Sequence, residues 1–74
     1  MNFNERIRSL REDADKTQSD IAVIFNTTQR KISRLETGDS QPTLHDIKQY
    51  CLYFDKSADY ILGFSDVDTS FPKK

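Results

Sequence analysis

The stretch covering residues 17–36, TQSDIAVIFNTTQRKISRLE, constrains this chain more than any other. Its apolar residues follow helical spacing twice, with a break between the two runs. Ile21, Ala22 and Phe25 share one face of a first short helix, and Ile32 and Leu35 share one face of a second. Asn26 stands where the chain must turn, since Asn accepts left-handed backbone second only to Gly. Thr28 is placed to cap the second helix by accepting one of its free amides. Gln29, Arg30, Lys31, Ser33 and Arg34 then point outward. The remaining residues read as the frame that holds this pair.

With 74 residues the chain makes one domain, and its core is small enough that folding alone is marginal. A single cysteine rules out a disulfide framework, so stability must come from packed helices, helped by dimerisation. Cys51 follows Ile47 at helical spacing and is expected in the core as a small apolar group, with no reactive or metal role. No stretch approaches the roughly 20 apolar residues of a transmembrane helix. The first ten residues, MNFNERIRSL, are charged and amphipathic and carry no signal-peptide apolar run. A cytoplasmic location without a membrane partner is the expectation.

The formal net charge of −1 is not the basic balance of a typical nucleic-acid binder. The charge is unevenly spread, however. Residues 1–36 hold seven basic and six acidic side chains, whereas residues 37–72 hold two basic and six acidic ones. Screening limits an exposed charge to about 10 Å, so the local balance matters more than the total. Weak sequence-independent binding that fades quickly with salt is expected.

Taken in order, Phe3, Ile7, Leu10 and Ala14 form a one-sided stripe that predicts a helix over residues 4–15, with Asn2 or Asn4 as its cap. Its exposed side is expected to carry Arg6, Glu12 and Asp13. Thr17 caps the next helix, residues 18–25, with Asp20 three positions on as a short capping-box partner. Val23 and Ile24 widen its apolar arc beyond one face. The following helix, Gln29–Thr37, is stopped by Gly38. After a polar loop ending at Pro42, Thr43 caps a fourth helix, with Asp46 three residues on, whose inward stripe is Leu44, Ile47, Cys51 and Phe54, with Lys48 and Gln49 facing solvent. Ser57 caps a last helix, Ala58–Leu62, stopped by Gly63. Residues 64–74, FSDVDTSFPKK, are polar and expected to fray or to meet a partner. Five helices and no strand place the chain in the all-α class.

Short helices meeting across a tight turn, the second with an exposed row of amides and guanidiniums, are the pattern of a DNA-reading helix-turn-helix. The wider chain resembles the phage repressor/Cro-type (XRE) family over residues 4–63. The resemblance rests on Ile7-Arg8-x-Leu10-Arg11, on Thr17-Gln18-x-x-Ile21-Ala22, and on Ile32-Ser33-Arg34-Leu35-Glu36-x-Gly38. Pro42 and the run from Ser57 to Gly63 also match. Thr27-Thr28-Gln29 looks especially like lambdoid repressors that read operators through glutamines. Asn26 replaces the usual turn glycine, and Lys56 stands where the family often has an apolar residue. The implied fold is a five-helix bundle of the lambda-repressor-like type, with residues 1–63 as the DNA-binding domain and 64–74 as a flexible or dimer-contacting tail.

The family implies direct readout of double-stranded DNA in the major groove, and a role as a repressor of bacterial or phage origin. Gln29 is suited to bidentate pairing with adenine and Arg30 with guanine, while Arg34, one turn further on, reaches another base or a phosphate. Gln18, Thr28, Lys31, Lys16 and Thr17 are expected on the DNA backbone, which positions without specifying. The resemblance also implies an Arg11–Glu36 ion pair beneath the reading helix. Family members usually bind two-fold related half-sites as dimers, which implies a palindromic operator. Tyr53, Tyr60, Phe64 and Phe71 would then supply a contact through the last helix and tail; the alternative is that Tyr60 covers the core and the tail is disordered. His45 has no partner at metal-ligand spacing, and no nucleophile motif frames the serines, so neither a metal, a cofactor, a small-molecule ligand nor an enzymatic activity is expected. The competing reading is an antitoxin or protein-interaction module on the same fold, in which Asp59, Asp66 and Asp68 meet a basic partner.

Overall fold

The computed structural model describes residues 1–72, and these form five helices and no strand: α1 Phe3–Asp13, α2 Gln18–Ile24, α3 Gln29–Thr37, α4 Leu44–Phe54 and α5 Ala58–Leu62. A short polar side chain sets every helix start. Asn2, Thr17, Thr28, Thr43 and Ser57 each accept the backbone amide three residues on. Asn2 with Glu5, Thr17 with Asp20 and Thr43 with Asp46 close reciprocal capping boxes. Such a cap is typically worth about 1 kcal/mol, a large contribution in a domain this small. Asp20 and Asp46 complete their boxes despite being one methylene shorter than Glu.

A residue with positive φ follows each of the five helices: Asp15, Asn26, Gly38, Asp55 and Gly63. Asn26, at φ 55°, supplies the turn between α2 and α3 that the family usually gives to glycine. Gly63, at φ 83°, does more than stop α5. A Cβ there would overlap the Met1 carbonyl and press on Asn2 Cα, so the glycine lets the N-terminus lie across the end of α5.

The core is built from Ile7 of α1, Ile21 of α2, Ile32 and Leu35 of α3, Tyr50 of α4 and Ile61 of α5, all essentially excluded from solvent. α3 packs on both α1 and α2, and α5 packs on both α1 and α4. Tyr50 is the largest core side chain and was not part of the expected stripe. Its ring meets Phe25 edge-on at 4.8 Å between centroids and lies parallel to Phe54 at 6.1 Å. With Asp46 and Tyr50 turned inward, the buried face of α4 is rotated so that Leu44 falls at its margin, 86% exposed. Gln49, expected in solvent, is half-buried and donates to the Phe25 carbonyl at the end of α2. Ala14 is exposed because α1 ends at Asp13 and Ala14 is its cap. α2 likewise ends at Ile24, with buried Phe25 as its cap, while Val23 and Ile24 face solvent.

Arg6, assigned from its spacing to the exposed side of α1, is only 7% exposed. Its guanidinium lies 3.8 Å over the Tyr60 ring and donates to Asp66 at 2.8 Å. Lys56 pairs with Asp68 at 2.8 Å, the Ser57 amide donates to the Thr69 carbonyl, and Phe71 packs against the core. The segment expected to fray is thus folded back on the bundle as far as Phe71; Lys73 and Lys74 lie outside the described residues.

The two glycine stops should respond differently to a methyl group. At Gly38 the nearest atoms to a new Cβ are those of the Asn4 side chain at 3.6 Å, so Gly38→Ala meets only the left-handed backbone cost, about 1 kcal/mol. Gly63→Ala adds the overlap with Met1 and should cost at least twice that, about 2 kcal/mol or more. Urea unfolding of the two variants gives the comparison, and equal losses would show that the N-terminal contact does not constrain the fold.

Candidate nucleic-acid interface

α2 and α3 meet across a turn held by its own backbone. The Asn26 amide donates to the Val23 carbonyl at 3.1 Å and the Thr27 amide to the Ala22 carbonyl at 2.8 Å. Ala22 is buried where the helices approach, and Ile32 and Leu35 anchor the underside of α3. This leaves the opposite side of α3 to water. Gln29, Arg30 and Arg34 are exposed, whereas Lys31 and Ser33 are half-buried at the edges of that face. Thr28, Arg30, Lys31, Arg34 and Ser40 line an open groove of about 260 Å³. Ser40 reaches it because its amide donates to the Arg34 carbonyl, which turns the loop after α3 back onto the helix.

The cations of α3 are not equivalent. Arg30 and Arg34 have no acidic partner among the described residues, while Lys31 Nζ lies 3.1 Å from Asp46 Oδ1. Burial alone would push the Asp46 carboxyl up, but the Thr43 amide and Lys31 together hold it below the usual carboxylate value. Gln29 is oriented rather than loose: its Oε1 accepts from Ser19 Oγ on α2 at 3.0 Å. Ser19, Ser40 and Asp46 were not singled out by the sequence as parts of this surface. Ser19 and Ser40 carried no signal for it, and Asp46 was legible only as a cap.

Beneath the groove lies Glu36, its side chain 3% exposed. It accepts from Arg11 Nε at 2.7 Å and Nη2 at 3.0 Å, and from Gln18 Nε2 at 3.1 Å. The Glu36 hydrogen bond raises the already high Arg11 pKa, so the guanidinium stays charged. Arg11 Nη1 also donates to the Lys16 carbonyl, at 2.8 Å. Of the residues expected on the DNA backbone, Gln18 also ties to Glu36, Lys16 is held through its main-chain carbonyl, and Thr17 is the cap of α2. The hydroxyl of Thr17 holds the Asp20 amide, and the Thr17 amide lowers the Asp20 carboxyl. Among the described residues no group of His, Cys, Asp and Glu is placed to hold a metal, and no helix is long and apolar enough to cross a membrane. Cys51 is buried, which pushes its thiol pKa up, and His45 is exposed.

Because Arg11 and Glu36 are both nearly enclosed, removing one charge leaves the other without compensation. Glu36→Gln should cost about 3 kcal/mol in urea unfolding. A loss below about 1 kcal/mol, the range of exposed pairs, would show that the pair does not brace α3.

The match to known families agrees with this geometry. A family model described as helix-turn-helix matches residues 7–61, from the core isoleucine of α1 to that of α5. No curated protein and no solved structure matches the chain. The matched span contains the α2–turn–α3 unit, its Arg11–Glu36 brace and most of the surrounding bundle, and the chain belongs to the Cro/XRE-type helix-turn-helix family of DNA-binding regulators.

Proposed function

We propose that this chain is a sequence-specific repressor of bacterial or phage origin that reads the DNA major groove with α3. The observation that carries the reading is the pair of unpartnered guanidiniums, Arg30 and Arg34, one helical turn apart beside Gln29. A helix entering the major groove contacts base edges with its N-terminal residues. Gln29 and Arg30 are the first two residues of α3 and have the chemistry for adenine and guanine respectively. With Oε1 fixed by Ser19, the Gln29 amide keeps its two N–H donors and one lone pair for a base. Arg34 serves a further base or a phosphate, and Thr28, Thr17, Gln18 and Lys16 flank the helix on the side of the sugar–phosphate strands.

A single reading helix covers few base pairs, so the proposal includes a homodimer on a palindromic operator. Phe64 and Val67, exposed on the folded-back tail, are the apolar residues offered for that contact. The alternative, an antitoxin or interaction module, relied on Asp59, Asp66 and Asp68 as a free acidic surface. Asp66 and Asp68 are engaged by Arg6 and Lys56, which removes much of that attraction.

Footprinting on the DNA upstream of its own gene tests the proposal. Protection of two half-sites related by two-fold symmetry is expected, together with a dimer in sedimentation. Arg30→Ala should lose roughly 1–3 kcal/mol of operator affinity and relax one base position in each half-site. Failure to shift any duplex at low salt would contradict the DNA reading, and a monomer both free and on DNA would contradict the half-site arrangement.

A further inference from the structure

One cation of the basic groove is held by an acid outside it. Lys31 lines it beside Arg30 and Arg34, yet its ammonium is held by Asp46 at 3.1 Å. Asp46 cannot follow Lys31 outward. Its Oδ2 accepts from the Thr43 amide at 2.9 Å and its own amide donates to Thr43 Oγ1 at 3.1 Å, which fixes the carboxylate in the first turn of α4. Asp46 is also one of the few buried charged residues of the fold. If Lys31 swung to a phosphate, that enclosed carboxylate would lose its counter-charge, and the gain would be an ion pair largely in solvent. The Lys31 side chain is 39% exposed but that of Asp46 only 6%, and stranding an enclosed carboxylate costs more than an exposed ion pair returns.

Building on the DNA reading above, we infer that Asp46 is a specificity-determining residue that withholds Lys31 from the DNA backbone and limits the groove's free charge to Arg30 and Arg34. Phosphate contacts supply sequence-independent affinity, whereas specificity is the ratio of operator binding to that background. One cation kept off the phosphates lowers the background and leaves base contacts by Gln29 and Arg30 untouched. Asp46 acts without touching DNA.

The test is the salt dependence of binding to a mixed-sequence duplex, followed by fluorescence anisotropy with the full chain. The slope of log K against log salt changes by about 0.9 for each phosphate neutralised on B-DNA. Asp46→Asn should free Lys31, steepen the slope by about one contact and raise low-salt affinity for this duplex by roughly three- to ten-fold. Adding Lys31→Gln to Asp46→Asn should return the slope to its starting value. Asp46→Ser, which keeps a hydroxyl for the Thr43 amide, should steepen the slope equally if melting curves show the Asn variant unfolded. Unchanged slopes in the folded Asp46 variants would overturn the inference while leaving DNA binding intact. So would a slope flattened by one contact in Lys31→Gln alone, and that variant decides the matter if neither Asp46 variant folds. No binding of any duplex at low salt would overturn the DNA reading, and the inference with it.

Discussion

The placement of α3 depends on the carboxylate of Glu36. Ile32 and Leu35 press α3 onto the core, but apolar contact is non-directional and fixes neither the rotation nor the register of a nine-residue helix. The fork of Arg11 on Glu36 is directional, with two short charge-assisted hydrogen bonds in one plane. Through the same carboxylate Gln18 joins the start of α2 to the end of α3, and through Arg11 the Lys16 carbonyl joins the loop before α2. Asn4 adds a second tie from α1 by donating to the Leu35 carbonyl at 2.7 Å. Two helices, α1 and α2, thus converge on one end of α3, and the other end is left to present Gln29 and Arg30.

A net charge of −1 is compatible with a cationic groove because the charges are sorted. Arg11 is enclosed with Glu36, Arg6 is clamped between Tyr60 and Asp66, Lys56 faces Asp68, and Lys31 faces Asp46. What remains on α3 is the pair Arg30 and Arg34. A phosphate a few ångströms away responds to these two far more than to the acids of the C-terminal half, which screening attenuates beyond about 10 Å. The acidity is therefore structural in part: Asp66 and Asp68 tie down the tail, and Asp20 and Asp46 close helix caps.

Much of this was legible in the sequence because its causes are local. Thr17, Thr28, Thr43 and Ser57 mark helix starts that depend on amides three residues away, and Gly38 and Gly63 mark ends that depend on their own φ. The outward set Gln29, Arg30 and Arg34 followed from the spacing of Ile32 and Leu35. The early ends of α1 and α2 are local matters, but the other departures involve partners distant in sequence. Arg6 looked solvated until a tail residue 60 positions away reached it. Tyr50 looked like neither stripe nor surface, and its inward turn, with Asp46, displaced Leu44 to the margin. The diversion of Gln18 to Glu36 and of Lys31 to Asp46 needed the relative placement of three helices, which no periodicity encodes.

In the proposed complex, DNA is met by the N-terminal half of α3 and the lip formed by Ser40, with the rest of the bundle as support. The most direct measurement is an amide chemical-shift titration of the chain with a duplex carrying its upstream sequence. The largest shifts are expected at Ser19, Thr28 to Arg34 and Ser40, with the amides of α5 and of residues 64–72 moving only where dimer contacts form. Shifts centred on the solvent face of α4, around Leu44 and Lys48, with α3 unmoved, would contradict it.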